Sequence, residues 1–259
     1  IRDSPNIVQM VGYANQLGLV TTMTTNGTAS RDIIMQLTDS GLFLLSVSFD
    51  HWDASLCEKI RGHKSIQTKQ EETIKNCKEV GLRTYTLTFL NSYIVRDKVE
   101  KMVRYVNRRL GVPFGFCYPV KSDASHYPIG ENLSEEDLSF QNLRRSVKTI
   151  LSLKRRGSAI ANLGTYIEDI LRFHERKPPN FYCKGGEDVI YIDWLGNVYP
   201  CFIKEKLFNV LNGEEAQFLK DVACSDCLTN CFREPSILAQ PSFLPLLIKE
   251  IPYSYTTRK

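Results

Sequence analysis

The residues with the clearest chemistry are five cysteines in the last third of this 259-residue chain. They fall as Cys183-x12-Gly196-x4-Cys201 and then Cys224-x2-Cys227-x3-Cys231. The first pair flanks Val189–Val198, an alternating apolar stretch interrupted at Leu195-Gly196-Asn197, which predicts a short hairpin. A hairpin with a thiolate at each end, followed by a tight group of three more, carries the donors of a metal cage. Thiolates at this density are soft ligands, suited to zinc or to an iron–sulfur cluster. A zinc ribbon usually has two C-x2-C knuckles, and one is present here. Five cysteines also exceed the four positions of one cubane cluster. Cys183 and Cys201 are placed by the hairpin, so two or three of Cys224, Cys227 and Cys231 would complete the set.

The remaining cysteines, Cys57, Cys77 and Cys117, read as core residues. Cys77 shares a helical face with Ile74 and Val80, as a small buried hydrophobe does. Cys117 sits on a strand from which a thiol could reach the open end of the sheet. His51, His63, His126 and His174 have no metal-binding spacing, although His126 and Tyr127 follow a strand, where loops carry function.

These candidates need elements to position them. Hydrophobic residues make up 42% of the chain and charged residues 24%, ordinary for a globular protein. The net charge of +4 is too small for this length to argue for a polyanionic partner. Arg108-Arg109, Arg144-Arg145 and Lys154-Arg155-Arg156 fall on charged outer faces of helices without interleaved aromatics, so no nucleic acid is expected. No apolar run approaches a membrane span, and Ile1-Arg2-Asp3 does not read as a signal peptide. Clustered cysteines in such a chain suit a metal protein of the reducing cytoplasm.

The first half alternates helix and strand. Ser4-Pro5 starts a helix with Ile7, Val8, Val11, Ala14 and Leu17 on one face, closed by Gly18. Strands follow at Leu19–Thr25, Leu42–Phe49, Arg83–Leu90 and Phe114–Val120. Helices between them are closed by Gly41, Gly81 and Gly111. Glycine-closed helices leading into apolar strands indicate βα units around a parallel sheet. Asn132–Arg156 predicts a long helix with a capping box at Ser134 and Asp137. Another amphipathic segment runs through Tyr166, Ile167, Ile170, Leu171 and Phe173 to Lys177-Pro178-Pro179, a candidate boundary. Phe243, Leu244, Leu246, Leu247 and Ile248 would cover an apolar surface. The opening helix lacks a strand of its own, so the edge at Leu19–Thr25 is uncovered and sequence upstream of Ile1 is expected.

Thr24-Thr25-Asn26-Gly27, Ser46-Val47-Ser48-Phe49-Asp50 and Ile60-Arg61-Gly62, in that order, resemble the third and fourth barrel strands of radical S-adenosylmethionine (SAM) enzymes. Asn76–Arg83 resembles the helix before their fifth strand, and Phe114–Val120 with Lys121-Ser122-Asp123 their sixth strand and its loop. The cysteine-bearing end resembles the twitch or SPASM domain, in which a G-x4-C hairpin and a downstream cysteine group hold an auxiliary [4Fe–4S] cluster. The resemblance runs from about Ile1 to about Arg233. It implies an α/β chain, a partial (βα)6 TIM-like barrel missing its first strands, followed by a small hairpin-plus-helix Cys-rich domain. The expected divisions are 1–157 for the barrel, 158–180 for a linking helix, 181–235 for the cluster domain and 236–259 for a tail. The family's C-x3-C-x2-C loop and the Gly-Gly-Glu after its second strand have no counterpart at matching places here; both would lie upstream of Ile1. The chain therefore reads as a fragment.

What the resemblance implies chemically is specific. SAM would be seated at the C-terminal mouth of the barrel by a second, catalytic [4Fe–4S] cluster from upstream sequence, and a substrate radical would form by hydrogen abstraction. Thr24, Asn26, Ser46, Ser48, Asp50 and Arg61 are the candidate SAM contacts. Ser46 and Ser48 lie two apart and so face one side of their strand. The plainer reading makes Asn26-Gly27 a turn, Asp50 a helix cap and Arg61 a partner for an acidic neighbour. The auxiliary cluster would take Cys183, Cys201, Cys224, Cys227 and Cys231 as its candidate ligands. A peptide or small-molecule substrate and an external electron donor such as flavodoxin or ferredoxin are the implied partners. The alternative is a non-catalytic Cys-rich scaffold, binding zinc or an iron–sulfur cluster, that retains a barrel remnant.

Overall fold

The computed structural model describes residues 6–95, 98–120, 138–245 and 250. The chain divides into two compact units. One is built from the residues up to Phe116 together with Ser152–Ala161. The other is built from Cys117–Leu151 and from Asn162 onward.

In the first unit, α1 (Ile7–Gln16), β1 (Thr22–Thr25), α2 (Arg31–Asp39), β2 (Leu44–Ser48), α3 (Ala54–Arg61), α4 (Ile66–Glu79), β3 (Thr84–Phe89) and α5 (Val99–Arg104) follow in order. A π-helix at Tyr105–Leu110 and β4 (Phe114–Cys117) come next. The four strands form one sheet in the order β1-β2-β3-β4. Thr24 is in register with Ser46, and Ser46 with Tyr85, in parallel pairs. The sheet is thus the parallel α/β array expected, with strands shorter than the apolar runs suggested: β1 at its N-terminal end, β2 and β3 at both ends and β4 at its C-terminal end.

A further parallel neighbour is reduced to one bridge, Phe114 to Ile160. Phe114 N donates to Ala159 O at 2.9 Å and Ala161 N to Phe114 O at 2.8 Å. Asn107 secures this short piece: its Nδ2 donates to Ala159 O at 3.0 Å and its Oδ1 accepts from Ala159 N at 3.0 Å. Ser158–Ala161 is too short and too small-residued to read as a strand from periodicity, so tertiary hydrogen bonding alone reveals it.

Which face of the sheet is which follows from packing. Leu45 and Met23 pack into a cluster with Val11, Ile34, Leu37 and Cys77 from the helices. Side chains alternate along a strand, so Thr24, Ser46 and Ser48 face away from that helical layer. Cys77 is wholly buried, a core residue as its helical position predicts. Gly27 lets the turn after β1 lie on α4. Its φ is +86°, and a Cβ there would stand 2.4 Å from Gln70 Cγ and 2.8 Å from Gln70 Cα.

The second unit holds the larger part of α6 (Phe140–Arg155), which begins where Ser139 Oγ accepts from Asn142 N at 3.3 Å. The expected cap at Ser134 and Asp137, with His126, Tyr127 and Lys121-Ser122-Asp123, lies outside the described residues, as do Ser4-Pro5 and Leu246, Leu247 and Ile248. After α7 (Gly164–His174) come β5 (Tyr191–Ile192), β6 (Asn197–Tyr199), β7 (Phe208–Asn209) and α8 (Asn230–Ala239). The hairpin forms with Tyr191 opposite Tyr199. Asp193 Oδ1 accepts from Leu195 N and Asn197 N, both at 2.9 Å, to close its turn. β7 adds a third, antiparallel strand. Two residues long, it leaves no alternation to read in the sequence. Phe243 of the tail is buried edge-on to Phe181, ring centroids 5.9 Å apart. Among the described residues no helix is long and apolar enough to cross a membrane.

The Gly27 contact makes a differential prediction. Gly27→Ala combines a left-handed φ with a collision against α4, and is expected to cost about 2–4 kcal/mol. Gly62→Ala, at φ +63° with nothing within 4 Å, keeps only the conformational penalty, about 1 kcal/mol. Urea unfolding of both variants checks the difference.

Candidate functional site

Two groups of candidate residues take shape, one in each unit. On the non-helical face of the sheet, Thr24 Oγ1 and Ser46 Oγ share a hydrogen bond of 2.7 Å, and Ser46 Oγ lies 3.3 Å from Met23 O. Ser46 is buried and committed to this contact. Ser48, two residues on at the C-terminal end of β2, is half-buried, and its hydroxyl has no hydrogen-bond partner among the described residues. Asp50 is 2% exposed and is gripped by Arg61, whose Nε and Nη2 donate to its two oxygens at 2.5 and 3.1 Å. Asn26 accepts at Oδ1 from Thr28 N and Thr28 Oγ1, a local turn. Of these six residues, Ser48 alone leaves an unspent hydroxyl at the mouth of the strands.

His51 joins this mouth. Its Nδ1 accepts from Asp53 N at 2.9 Å, and its Nε2 is buried without a hydrogen-bond partner. Burial chiefly holds its pKa below the usual histidine value. Trp52 packs on its ring, centroids 3.9 Å apart, with Lys101 Nζ 4.7 Å from the Trp52 centroid on the indole face. Spacing alone cannot single out this histidine; its position directly after Asp50 is the signal.

In the second unit the backbone brings the cysteines together. Cys183 N donates to Cys224 O at 2.9 Å and Cys224 N to Cys183 O at 3.1 Å, an antiparallel bridge across 41 residues of sequence. A Cβ on Gly185 would stand 2.8 Å from Pro200 O, so only glycine lets the strand after Cys183 approach the segment entering Cys201 this closely. Cys227 exerts its field on both Cys183 and Cys201, and Cys183 on both Cys201 and Cys224. These four form one neighbourhood. Cys231, on the first turn of α8, instead couples to Glu234 and Tyr166. Burial pushes the Cys183, Cys201 and Cys224 thiols up, so binding a metal here must release protons.

The donor set is all sulfur, which fits an iron–sulfur cluster or zinc in kind. Among the described residues no three His, Cys, Asp or Glu side chains converge tightly enough to hold a metal ion. The thiols are therefore neighbours rather than a closed single-ion cage.

A buried ion pair supports this lobe. Arg233 of α8 donates through Nη2 to Asp169 Oδ2 of α7 at 2.9 Å, with side chains 2% and 0% exposed. Asp169 also accepts from Asn180 N at 2.6 Å and Phe181 N at 3.2 Å, and Arg233 Nη1 reaches Cys224 O at 3.4 Å. The neighbouring Glu234 accepts from Leu163 N at 2.7 Å and Asn162 Nδ2 at 2.9 Å. Tyr166 OH donates to Leu228 O at 2.7 Å. Together these contacts tie α7 and the residues leading into it, α8 and the cysteine segment to one another.

His174 ends α7. Its Nε2 lies 2.9 Å from Tyr118 OH, its ring packs on Phe140 with centroids 4.1 Å apart, and its Nδ1 is buried without a hydrogen-bond partner. Burial, aided by Arg144, pushes its pKa down to about 4. The folded state thus disfavours the proton that an unfolded chain accepts near pH 6.5. Its stabilising contribution is complete above pH 6.5 and falls as the pH drops toward 4. Denaturant unfolding is expected to give stability lower by about 1–2 kcal/mol at pH 5 than at pH 7, and His174→Gln to flatten that slope.

No protein-family model matches the sequence. The PqqA peptide cyclase of Bradyrhizobium diazoefficiens is 21% identical over 210 residues, 78% of this chain and 51% of the cyclase. Among solved structures, Streptococcus suis SuiB bound to S-adenosylmethionine superposes with a TM-score of 0.59 at 16% identity, over 81% of this chain and 50% of SuiB. SuiB has also been solved bound to its precursor peptide SuiA. The anSMEcpe protein with bound AdoMet superposes with a TM-score of 0.53 at 18% identity, over 74% and 53% of the two chains. The chain spans about half the length of the curated relative it matches. The sequence is thus similar to that of the peptide cyclase, and the α/β architecture is shared with SuiB and anSMEcpe.

Proposed function

We propose that this chain is part of a radical SAM enzyme that modifies a peptide, with an auxiliary [4Fe–4S] cluster held by Cys183, Cys201, Cys224 and Cys227. The observation that carries the reading is the Cys183–Cys224 bridge, with Cys201 and Cys227 near enough to act electrostatically on this pair and on each other, in a chain with the fold of SuiB and anSMEcpe. A cubane offers four irons, each taking one thiolate, so neighbouring thiols that do not close on a single ion suit it better than zinc. The peptide substrate is inferred from the peptide in the cyclase's name and the precursor peptide bound to SuiB.

SAM, when bound and reduced by one electron from a donor such as flavodoxin or ferredoxin, supplies the radical that abstracts hydrogen. The residues of this chain would do the positioning. Ser48 offers its free hydroxyl to SAM at the C-terminal end of β2. Thr24 and Ser46 hold the strand beside it through their mutual hydrogen bond. Arg61, locked on Asp50, fixes the loop after β2 rather than meeting SAM directly. Cys231 lies outside the ligand set. A reducing cytoplasm is the setting in which such thiols and clusters persist.

Anaerobic reconstitution of the chain is expected to give close to four irons and four sulfides per molecule with the absorbance and EPR of a cubane. Single Cys→Ser changes at positions 183, 201, 224 and 227 should lower iron content or shift the EPR signal, and Cys231→Ser should change neither. Stoichiometric zinc without iron would exclude the auxiliary cluster. In the whole protein, Ser48→Ala is expected to weaken SAM binding about tenfold by equilibrium dialysis, the value of one hydrogen bond. An unchanged dissociation constant would remove Ser48 from the site.

A further inference from the structure

The three-stranded sheet of the second unit ends in an apolar tip that stands in solvent. Trp194 is 87% exposed, Leu211 73%, Leu195 62% and Val210 51%. Single exposed hydrophobics are ordinary, whereas adjoining ones inside a polar border mark an interaction surface. The adjacency here is built by the backbone. Val210 N donates to Gly196 O at 2.9 Å, which lays the segment after β7 along the β5–β6 turn. A Cβ on Gly196 would stand 2.6 Å from Leu211 Cγ and 3.3 Å from Val210 Cγ2, so both side chains rest on bare backbone next to Leu195.

The tip is also held from beneath. Buried Asn209 donates through Nδ2 to Leu195 O at 3.0 Å and to Asn197 Oδ1 at 2.8 Å. Its Oδ1 accepts from Leu211 N at 2.8 Å and from Asn212 N at 3.1 Å. One side chain thus fixes the backbone on both sides of the tip, and Asp193 closes the turn that carries Trp194. Apolar groups on a backbone already fixed lose little freedom when a partner covers them, which is the condition for binding anchors.

Charge selects the partner. The segments 189–199 and 208–219 contain Asp193, Glu214 and Glu215 and no lysine or arginine, in a chain of net charge +4. Lys206 pairs with Glu214 at 3.4 Å. The donors to Asp193 are neutral: Leu195 N, both nitrogens of Asn197 and Tyr199 OH. Its charge is therefore not cancelled, and the border of the tip is acidic where the chain as a whole is basic. A bilayer is disfavoured, since membrane-seeking surfaces set lysine and arginine, not carboxylates, beside their tryptophan. A two-fold contact with a second copy would bring like charges together.

We propose that the tip formed by Trp194, Leu195, Val210 and Leu211 docks a basic amphipathic segment of a partner polypeptide. The apolar side of that segment covers the tip, and its lysines or arginines meet Asp193, Glu214 and Glu215. The proposal stands apart from the SAM and cluster readings, because it uses none of their residues.

The test is isothermal titration of the anaerobically purified chain with a capped peptide of repeating Leu-Lys-Lys-Leu, whose leucines share one helical face, and with its Leu-Glu-Glu-Leu twin. The expected result is saturable binding of the lysine peptide, at least tenfold tighter than the twin and weakened by added salt. Trp194→Ser should weaken that binding at least tenfold, and Glu215→Lys at least threefold. Thermal midpoints should not fall in either variant, because both side chains are exposed. Failure to saturate, equal affinity for the glutamate twin, or unchanged affinity in the thermally intact W194S variant would overturn the proposal. Two rival occupants would overturn it as well. Co-sedimentation of the wild-type chain, but not W194S, with phosphatidylcholine–phosphatidylglycerol vesicles would assign the tip to a bilayer. A dimer in sedimentation velocity that W194S abolishes would assign it to a second copy.

Discussion

One buried guanidinium organises the C-terminal lobe. Arg233 sits almost without solvent between α7 and α8, held by the Asp169 carboxylate and reaching the Cys224 carbonyl. A charge so placed is tolerable only with its counter-charge fixed in position. Asp169 in turn is fixed by the amides of Asn180 and Phe181, just before Cys183. The ion pair therefore reaches both strands of the Cys183–Cys224 bridge. The lobe buries apolar residues such as Tyr166, Ile170, Phe232, Ile237 and Phe243, but its strands are only two and three residues long. Its geometry rests on such polar contacts, on a few aromatic pairs and, in the reading proposed above, on a metal cluster. This is a common solution where a short, irregular segment cannot bury enough area to define itself.

The barrel unit depends on a different constraint. Parallel register sets Thr24, Ser46 and Tyr85 side by side, and the helical layer claims the alternate residues. The face left over is unusually polar for a buried sheet. Thr24 and Ser46 pair within it at one level, and at the C-terminal end of β2 the Ser48 hydroxyl has no hydrogen-bond partner among the described residues. Function in such folds sits where the strands end, because there the side chains escape the packing demands of the layer below. The Asp50–Arg61 pair and the Asn91 contacts to Asp50 O and Phe89 O tie the loops of β2 and β3 at that same end.

The sequence and the structure agree most closely where periodicity is long. The helix through Ile74 and Cys77, the four parallel strands and the hairpin across Gly196 all carried repeated apolar spacing over enough residues to be read. The bridge at Ile160 and the strand at Phe208–Asn209 did not, since one or two residues contain no period. The site residues divided in the same way. Asn26 and Arg61 have the local partners that their plainer readings gave them, a turn and an acidic neighbour. His51 and His174 carried no spacing signal, and their significance lies in burial and in a ring nitrogen left unpaired.

From residue types alone came the α/β class, the thiolate character of the C-terminal chemistry and the small polar residues at the ends of strands. These are properties of local pattern and of side-chain chemistry, which a chain carries wherever it folds. Which four of five cysteines are neighbours, which hydroxyl stays free and where a guanidinium is buried were decided only in three dimensions. Each depends on the register between segments tens of residues apart. That register is settled by long-range hydrogen bonds and buried charge, which no spacing along the chain encodes.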